Sequence, residues 1–203
     1  MTTLTSPMLA AALTALLGLP SRQDKSETRP WTFLLYGAAD NDCDGPLLGY
    51  IRLVRQAIDD DPGIELLAFV DRHAQHSDDA TVLGGDFTGS RLYRIRKGSA
   101  ERLAGGRQLP EIATSGDVEL DSADADTLHR FIGWGKAAAP ARRYALIIYS
   151  HANGESLCPD EQSGRRMGLA ELSDDTTGED AVDFLALELC AMAASRSATR
   201  SPA

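Results

Sequence analysis

The chain of 203 residues has only three cysteines, Cys43, Cys158 and Cys190, and none stands in a CxxC pair. An odd count without close pairs excludes a disulfide framework and a zinc knuckle. Positive charge is also in the minority, with 20 Lys and Arg against 30 Asp and Glu, for a net charge of −10. A nucleic-acid-binding face needs clustered Lys and Arg, so no nucleic-acid partner is expected. The apolar stretch from Met8 to Leu19 is too short to span a membrane. It lacks the preceding Lys or Arg of an ordinary secretory leader. Two expectations stay open for it: a weak signal-like segment of a secreted protein, or an N-terminal helix of a cytoplasmic one. No GxSxG elbow, P-loop or GxGxxG fingerprint is present. The near-match Gly133-Trp134-Gly135-Lys136-Ala137 lacks the Ser or Thr that follows a P-loop lysine.

Buried-strand patterns are plentiful. Trp31–Ala39, Ile64–Arg72, Tyr144–His151 and Asp183–Cys190 are continuous apolar runs, as expected of strands covered on both faces. Helical spacing of Leu47, Leu48, Ile51, Val54 and Ile58 lies between the first two, giving a βαβ unit with parallel strands. Ser90–Arg96 alternates apolar and basic residues and predicts a half-exposed strand in a hairpin. Lys97 to Gly116 has no clear period. Ser122 is expected to cap a helix through Leu128, Phe131 and Ile132, weakened later by Gly133 and Gly135. Residues 1–29 read as a flexible leader, 30–194 as one α/β domain and 195–203 as a polar tail.

Two of these strands end in chemistry. One delivers His151 into a small, turn-prone loop, Ala152-Asn153-Gly154; the other delivers Cys190. Open α/β sheets place ligands at the carboxyl ends of their strands. Neighbouring parallel strands would therefore bring a thiol and an imidazole together, the pairing that makes a cysteine nucleophilic. Backbone N–H groups after His151 and at Cys190 are candidates for holding an oxyanion.

Four stretches resemble the clostripain family of cysteine peptidases: Trp31–Asp42, Phe69–Arg72, Ile147–His151 and Leu187–Ala193. The resemblance implies a caspase-like three-layer α/β/α sandwich with a mostly parallel central sheet. It implies cleavage of peptides or proteins after Arg or Lys, with Cys190 as nucleophile and His151 as base. The family's acidic residue two before the cysteine helps bind the basic P1 side chain, and Glu188 stands there. Arg165 and Arg166 occupy the region where relatives are cut in cis. No cofactor is required, although calcium dependence occurs in some relatives, and Asp40, Asp42 and Asp44 are then oxygen ligands to consider. The chain departs from the family in carrying Ala152 where Gly is usual and Glu188 where Asp is usual. It also stops thirteen residues after Cys190, which reads as a C-terminal truncation. Two alternatives follow: an inactive caspase-like domain serving as a binding module, or an unrelated α/β protein with Cys190 in its core.

Overall fold

The computed structural model describes residues 28–58, 63–175 and 181–191. The expectations for the N-terminal leader and for the tail beyond Ala191 lie outside the described residues. Eight strands form one sheet: β1 (Arg29–Ala39), β2 (Ile64–Arg72), β3 (Gly89–Arg96), β4 (Ser99–Leu103), β5 (Ala141–Ala152), β6 (Ser156–Asp160), β7 (Arg165–Gly168) and β8 (Phe184–Ala191). The helices are α1 (Asp44–Ala57), α2 (Ala125–Ala138) and α3 (Leu169–Asp175). The strand order is β4-β3-β2-β1-β5-β6-β7, and β8 also pairs with β5. The centre, β2-β1-β5-β8, is parallel throughout; β3, β4, β6 and β7 join antiparallel.

The apolar runs explain this centre. Alternate residues of β1 and β2 serve opposite faces. Leu34, Tyr36, Leu67 and Phe69 join Leu128, Phe131 and Ile132 of α2 in one core. Leu35, Leu66, Ala68 and Val70 join Leu47, Leu48 and Ile51 of α1 in the other. Helix, sheet and helix thus make three layers, the expected sandwich. In the first core Tyr36 stacks on Phe69 at 4.8 Å, and its hydroxyl donates to Ser122 O at 3.0 Å.

Some local expectations fail for physical reasons. Ser122 does not cap α2. Asp124 does, its side chain accepting from Asp126 N, while Ser122 donates its backbone N–H to Asp160 at 2.9 Å. The helix runs on through Gly133 and Gly135 to Ala138. At Gly135 an added Cβ would lie 2.4 Å from Leu34 Cδ2, so the glycine lets α2 lie close against β1. Part of the aperiodic stretch after Lys97 is strand β4, whose pairing with β3 supplies order that its polar sequence does not advertise. The segment between β5 and β8 is not a plain crossover, because it first builds the β6–β7 hairpin. Cys158 in that hairpin takes φ 50° and precedes Pro159, which hides it from strand propensity.

Candidate active site

The register of β8 is set at its start. Asp183 N donates to Tyr144 O at 2.8 Å, and Asp183 Oδ2 accepts Tyr144 N at 2.7 Å. Counting along parallel strands from that clamp, Tyr149 faces Glu188, Ser150 faces Leu189 and His151 faces Cys190. The backbones of the two sequence-predicted catalytic residues are therefore direct neighbours at the carboxyl end of the sheet.

His151 is mostly buried, and its Nε2 lies 2.5 Å from Oδ1 of Asp42, which is largely exposed. Sequence reasoning named Asp42 only as a possible metal ligand; the 109 intervening residues hide the pair. The Asp40–Asp44 turn, which looks like one acidic cluster, divides its work residue by residue. Asn41 fixes the turn: its Nδ2 donates to Ala38 O and Pro159 O at 3.2 and 2.7 Å, and its Oδ1 accepts Cys43 N at 2.9 Å. Ser150 Oγ donates to Ala38 O at 2.6 Å, tying the same turn to β5. Asp44 is fully buried in a two-point pair with Arg72, at 2.8 and 3.2 Å. A carboxylate committed in this way to a guanidinium is a poor metal ligand. Asp44 is thus spent on Arg72.

Asp40 is different. It is buried and faces Asp160, and with Glu119 these residues bring three carboxylate oxygens within 4.8 Å of one another. Burial, with Asp160 as a neighbour, pushes the Asp40 carboxyl up to about 6. Burial, followed by the charges of Asp40, Asp160 and Asp121, pushes Glu119 up to about 7. No sequence pattern marks Glu119 or Asp160, which come from an aperiodic stretch and a strand too short to recognise.

The loop after His151 is a compact turn. Asn153 Oδ1 accepts from the backbone N–H of Glu155 and Ser156 at 3.2 and 3.0 Å, and Asn153 N donates to Ser156 O. Most of the N–H groups expected to serve an oxyanion are therefore spent inside the turn. Gly154, at φ 87°, provides the amide that this turn does not use among the described residues. Ala152 closes β5 by pairing with Leu157.

Glu188 is exposed, across the ladder from Tyr149. The Tyr149 ring lies 5.2 Å from that of Tyr50 on α1. Burial raises the Tyr50 phenol above its ordinary range, and the Glu188 charge adds to it. One carboxylate beside two tyrosine faces is a surface suited to a guanidinium or ammonium group.

Arg165 and Arg166 are not in a flexible loop. Both begin β7, and Arg165 donates to Asp121 and Asp124 at 2.8 and 2.9 Å. Cys43 and Cys158 are buried, and burial pushes the Cys158 thiol up to about 12, so neither competes as a nucleophile. An apolar cleft of about 250 Å³ beneath α1 is lined by Phe33, Val54, Ile64 and Ile147, among others, but brings together no groups for chemistry. No helix among the described residues is long and apolar enough to cross a membrane.

Comparison with known proteins identifies the family and the fold. The profile of the clostripain family, Peptidase_C11, matches residues 35–197. Clostripain of Hathewaya histolytica is 33% identical over 188 residues, covering 85% of this chain and 36% of the relative. An inactive zymogen C11 protease from Parabacteroides distasonis superposes with a TM-score of 0.58 at 20% identity, over 81% of this chain and 43% of that one. A secreted C11 cysteine protease from Bacteroides thetaiotaomicron, solved with an irreversible peptide inhibitor, gives 0.55 at 19%, over 80% and 43%. The chain thus spans less than half the length of each of these proteins.

Proposed function

Because the chain belongs to the clostripain family of cysteine peptidases, we propose that it cleaves peptide bonds after basic residues through Cys190 and His151. The observation that carries this reading is the ladder pairing of His151 with Cys190, with Asp42 on the imidazole. In the proposed reaction the Cys190 thiolate attacks the scissile carbonyl carbon, forming a C–S bond and an oxyanion. Asp42 holds Nε2, so His151 handles the proton at Nδ1. As the oxyanion collapses, the C–N bond breaks and the imidazolium protonates the leaving amine. Water, deprotonated by His151, then attacks the thioester and releases the acid and the thiolate. The Gly154 amide is the candidate oxyanion donor on the His151 side.

The basic preference is supported by Glu188, two residues before Cys190, a spacing of about 6.6 Å along a strand. An arginine or lysine side chain at P1 spans that distance, and Tyr149 and Tyr50 flank its path. For self-cleavage, Arg166 is the better candidate of the two arginines, since Arg165 is held by two aspartates.

Fluorogenic peptides ending in Arg, Lys and Asp test the reading with the purified chain and with Cys190→Ala. Turnover of the Arg or Lys peptide, absent in Cys190→Ala, is expected. A folded chain that turns over none of them, or turns them over equally without Cys190, overturns it in favour of an inactive binding domain.

A further inference from the structure

The sheet face beneath α1 is not filled to its end. Leu47, Leu48 and Ile51 are buried there, but Val54 and Ile58, which continue the same stripe, are only half-buried. Between them and the strands lies the cleft of about 250 Å³, walled by Phe33, Leu35, Leu66 and Ile147. Tyr50 alone among its lining side chains carries a polar atom. The backbone amides of β1, β2 and β5 are committed to ladders on both sides.

Positive charge gathers at one end of this cleft. Trp31 and Arg143 are ladder neighbours near the amino ends of β1 and β5, and alternation puts them on the face of Phe33 and Ile147. The Trp31 ring lies 5.9 Å from that of Phe33, and the Arg143 guanidinium sits 5.5 Å over Trp31. With Pro30 and Arg142 they line a second hollow of about 320 Å³, which the Trp31–Phe33 contact joins to the cleft. The chain has a net charge of −10, and Arg29, Arg72, Arg94 and Arg130 each face a carboxylate. Arg142 and Arg143 are exposed and make no ion pair among the described residues.

We propose that the joined groove binds a fatty acid, its alkyl chain under α1 and its carboxylate on Arg142 and Arg143. Two observations set this class of ligand. An arginine pair with no carboxylate of its own matches an anionic head. A cleft without free donors or acceptors suits a chain that has none, whereas an apolar peptide would bury amides with nothing opposite them. Trp31 to Leu35 spans about 13 Å of strand, the reach of about ten carbons joined by bonds of about 1.5 Å. At the other end of the cleft stands Tyr50, whose ring lies 5.2 Å from that of Tyr149, the ladder neighbour of Glu188. An occupied cleft therefore presses on the surface that takes the P1 side chain. That consequence rests on the peptidase reading; the binding itself does not.

The test uses the full chain carrying Cys190→Ala, which removes any self-cleavage. Calorimetry follows sodium decanoate below its micelle concentration, with quenching of Trp31 fluorescence in parallel; Trp134, 4% exposed in the other core, gives a constant background. One decanoate per chain is expected, with Kd between about 1 µM and 1 mM. From hexanoate upward each added methylene tightens binding about two- to fourfold, and the gain stops near about twelve carbons. Arg142→Gln combined with Arg143→Gln weakens decanoate at least about tenfold and leaves uncharged octanol within about twofold. Val54→Trp fills the cleft and removes binding of both; Ile58→Trp takes its place if that variant fails to fold. The proposal is overturned by a folded chain without saturable binding at about 5 mM decanoate. It is equally overturned by unchanged affinity in the double glutamine variant, by decylamine binding as tightly, or by affinity that climbs with chain length without limit, as surface adsorption does. An apolar tetrapeptide that binds more tightly than decanoate overturns it in favour of a peptide site. Because no turnover is measured, the result stands apart from the fate of the peptidase assignment.

Discussion

Gly89→Ala isolates one steric demand of the fold. The residue opens β3 at φ 79°, a conformation that costs a side-chain-bearing residue about 1–2 kcal/mol. Its new Cβ would also lie 2.4 Å from Val118 O, a backbone atom that Ser90 N already holds at 2.7 Å. That contact cannot be relieved by turning a side chain, so overpacking adds about 1–3 kcal/mol. The expected loss is about 2–5 kcal/mol, or about 4–20 °C in Tm for a domain of this size. Gly116→Ala is the matched control: φ is 73°, with nothing within 4 Å of the added Cβ. It carries the conformational cost alone, about 2–8 °C. Differential scanning fluorimetry and urea titration of both variants give the difference directly. Equal losses at the two positions would refute the claim that Val118 crowds Gly89.

Four further outcomes are expected. Arg72→Met strands the buried Asp44 carboxylate and should cost about 3–5 kcal/mol in urea unfolding, far more than loss of an exposed pair. Asp42→Ala should lower kcat on an Arg peptide by about 10–100-fold with a smaller change in KM, as removal of a group acting on the imidazole should; an effect on KM alone would contradict its role. The native chain should take up one equivalent of iodoacetamide, at Cys190, while the buried Cys43 and Cys158 react only after unfolding; mass spectrometry counts the labels. Glu119 titrates near 7 in the fold against an ordinary 4.5, so the native state holds its proton longer than the unfolded chain does. Its contribution is therefore full below pH 4.5 and lost as pH rises through 7. With chelator present, Glu119→Gln should gain Tm over the parent above pH 7 and show no gain near pH 4.5.

The sequence reveals the parallel centre because each of its strands is a continuous apolar run, a pattern that only two-sided burial produces. It reveals His151 and Cys190 for the same reason, since each terminates such a run. It conceals β4, β6 and β7, which are short, polar or interrupted by Pro159, and which owe their order to pairing rather than to propensity. The acidic turn was legible as a turn but not in its division of labour. Asp40, Asp42 and Asp44 look alike in sequence; only their partners, Gln162, His151 and Arg72, tell them apart. Those partners arrive from β2, β5 and the β6–β7 turn, and one-dimensional spacing carries no trace of them. Glu119 escaped notice because a single Glu in an aperiodic stretch gives no reason to expect burial.

The parallel pairing of β1, β5 and β8 also sets an order of events during synthesis. Parallel neighbours cannot form as a local hairpin, and β1 must wait for β5, more than a hundred residues later, before its second edge is covered. A nascent chain emerges amino end first, so the β3–β4 hairpin and the β1–β2 unit can assemble while β5 and β8 are still unmade. His151 then arrives beside Asp42 on a turn that Ser150 of β5 and Pro159 of β6 complete. The thiol comes last, on the strand that closes against β5. The strand ends that carry Cys190 and His151 can therefore meet only after nearly all of the described chain has left the ribosome.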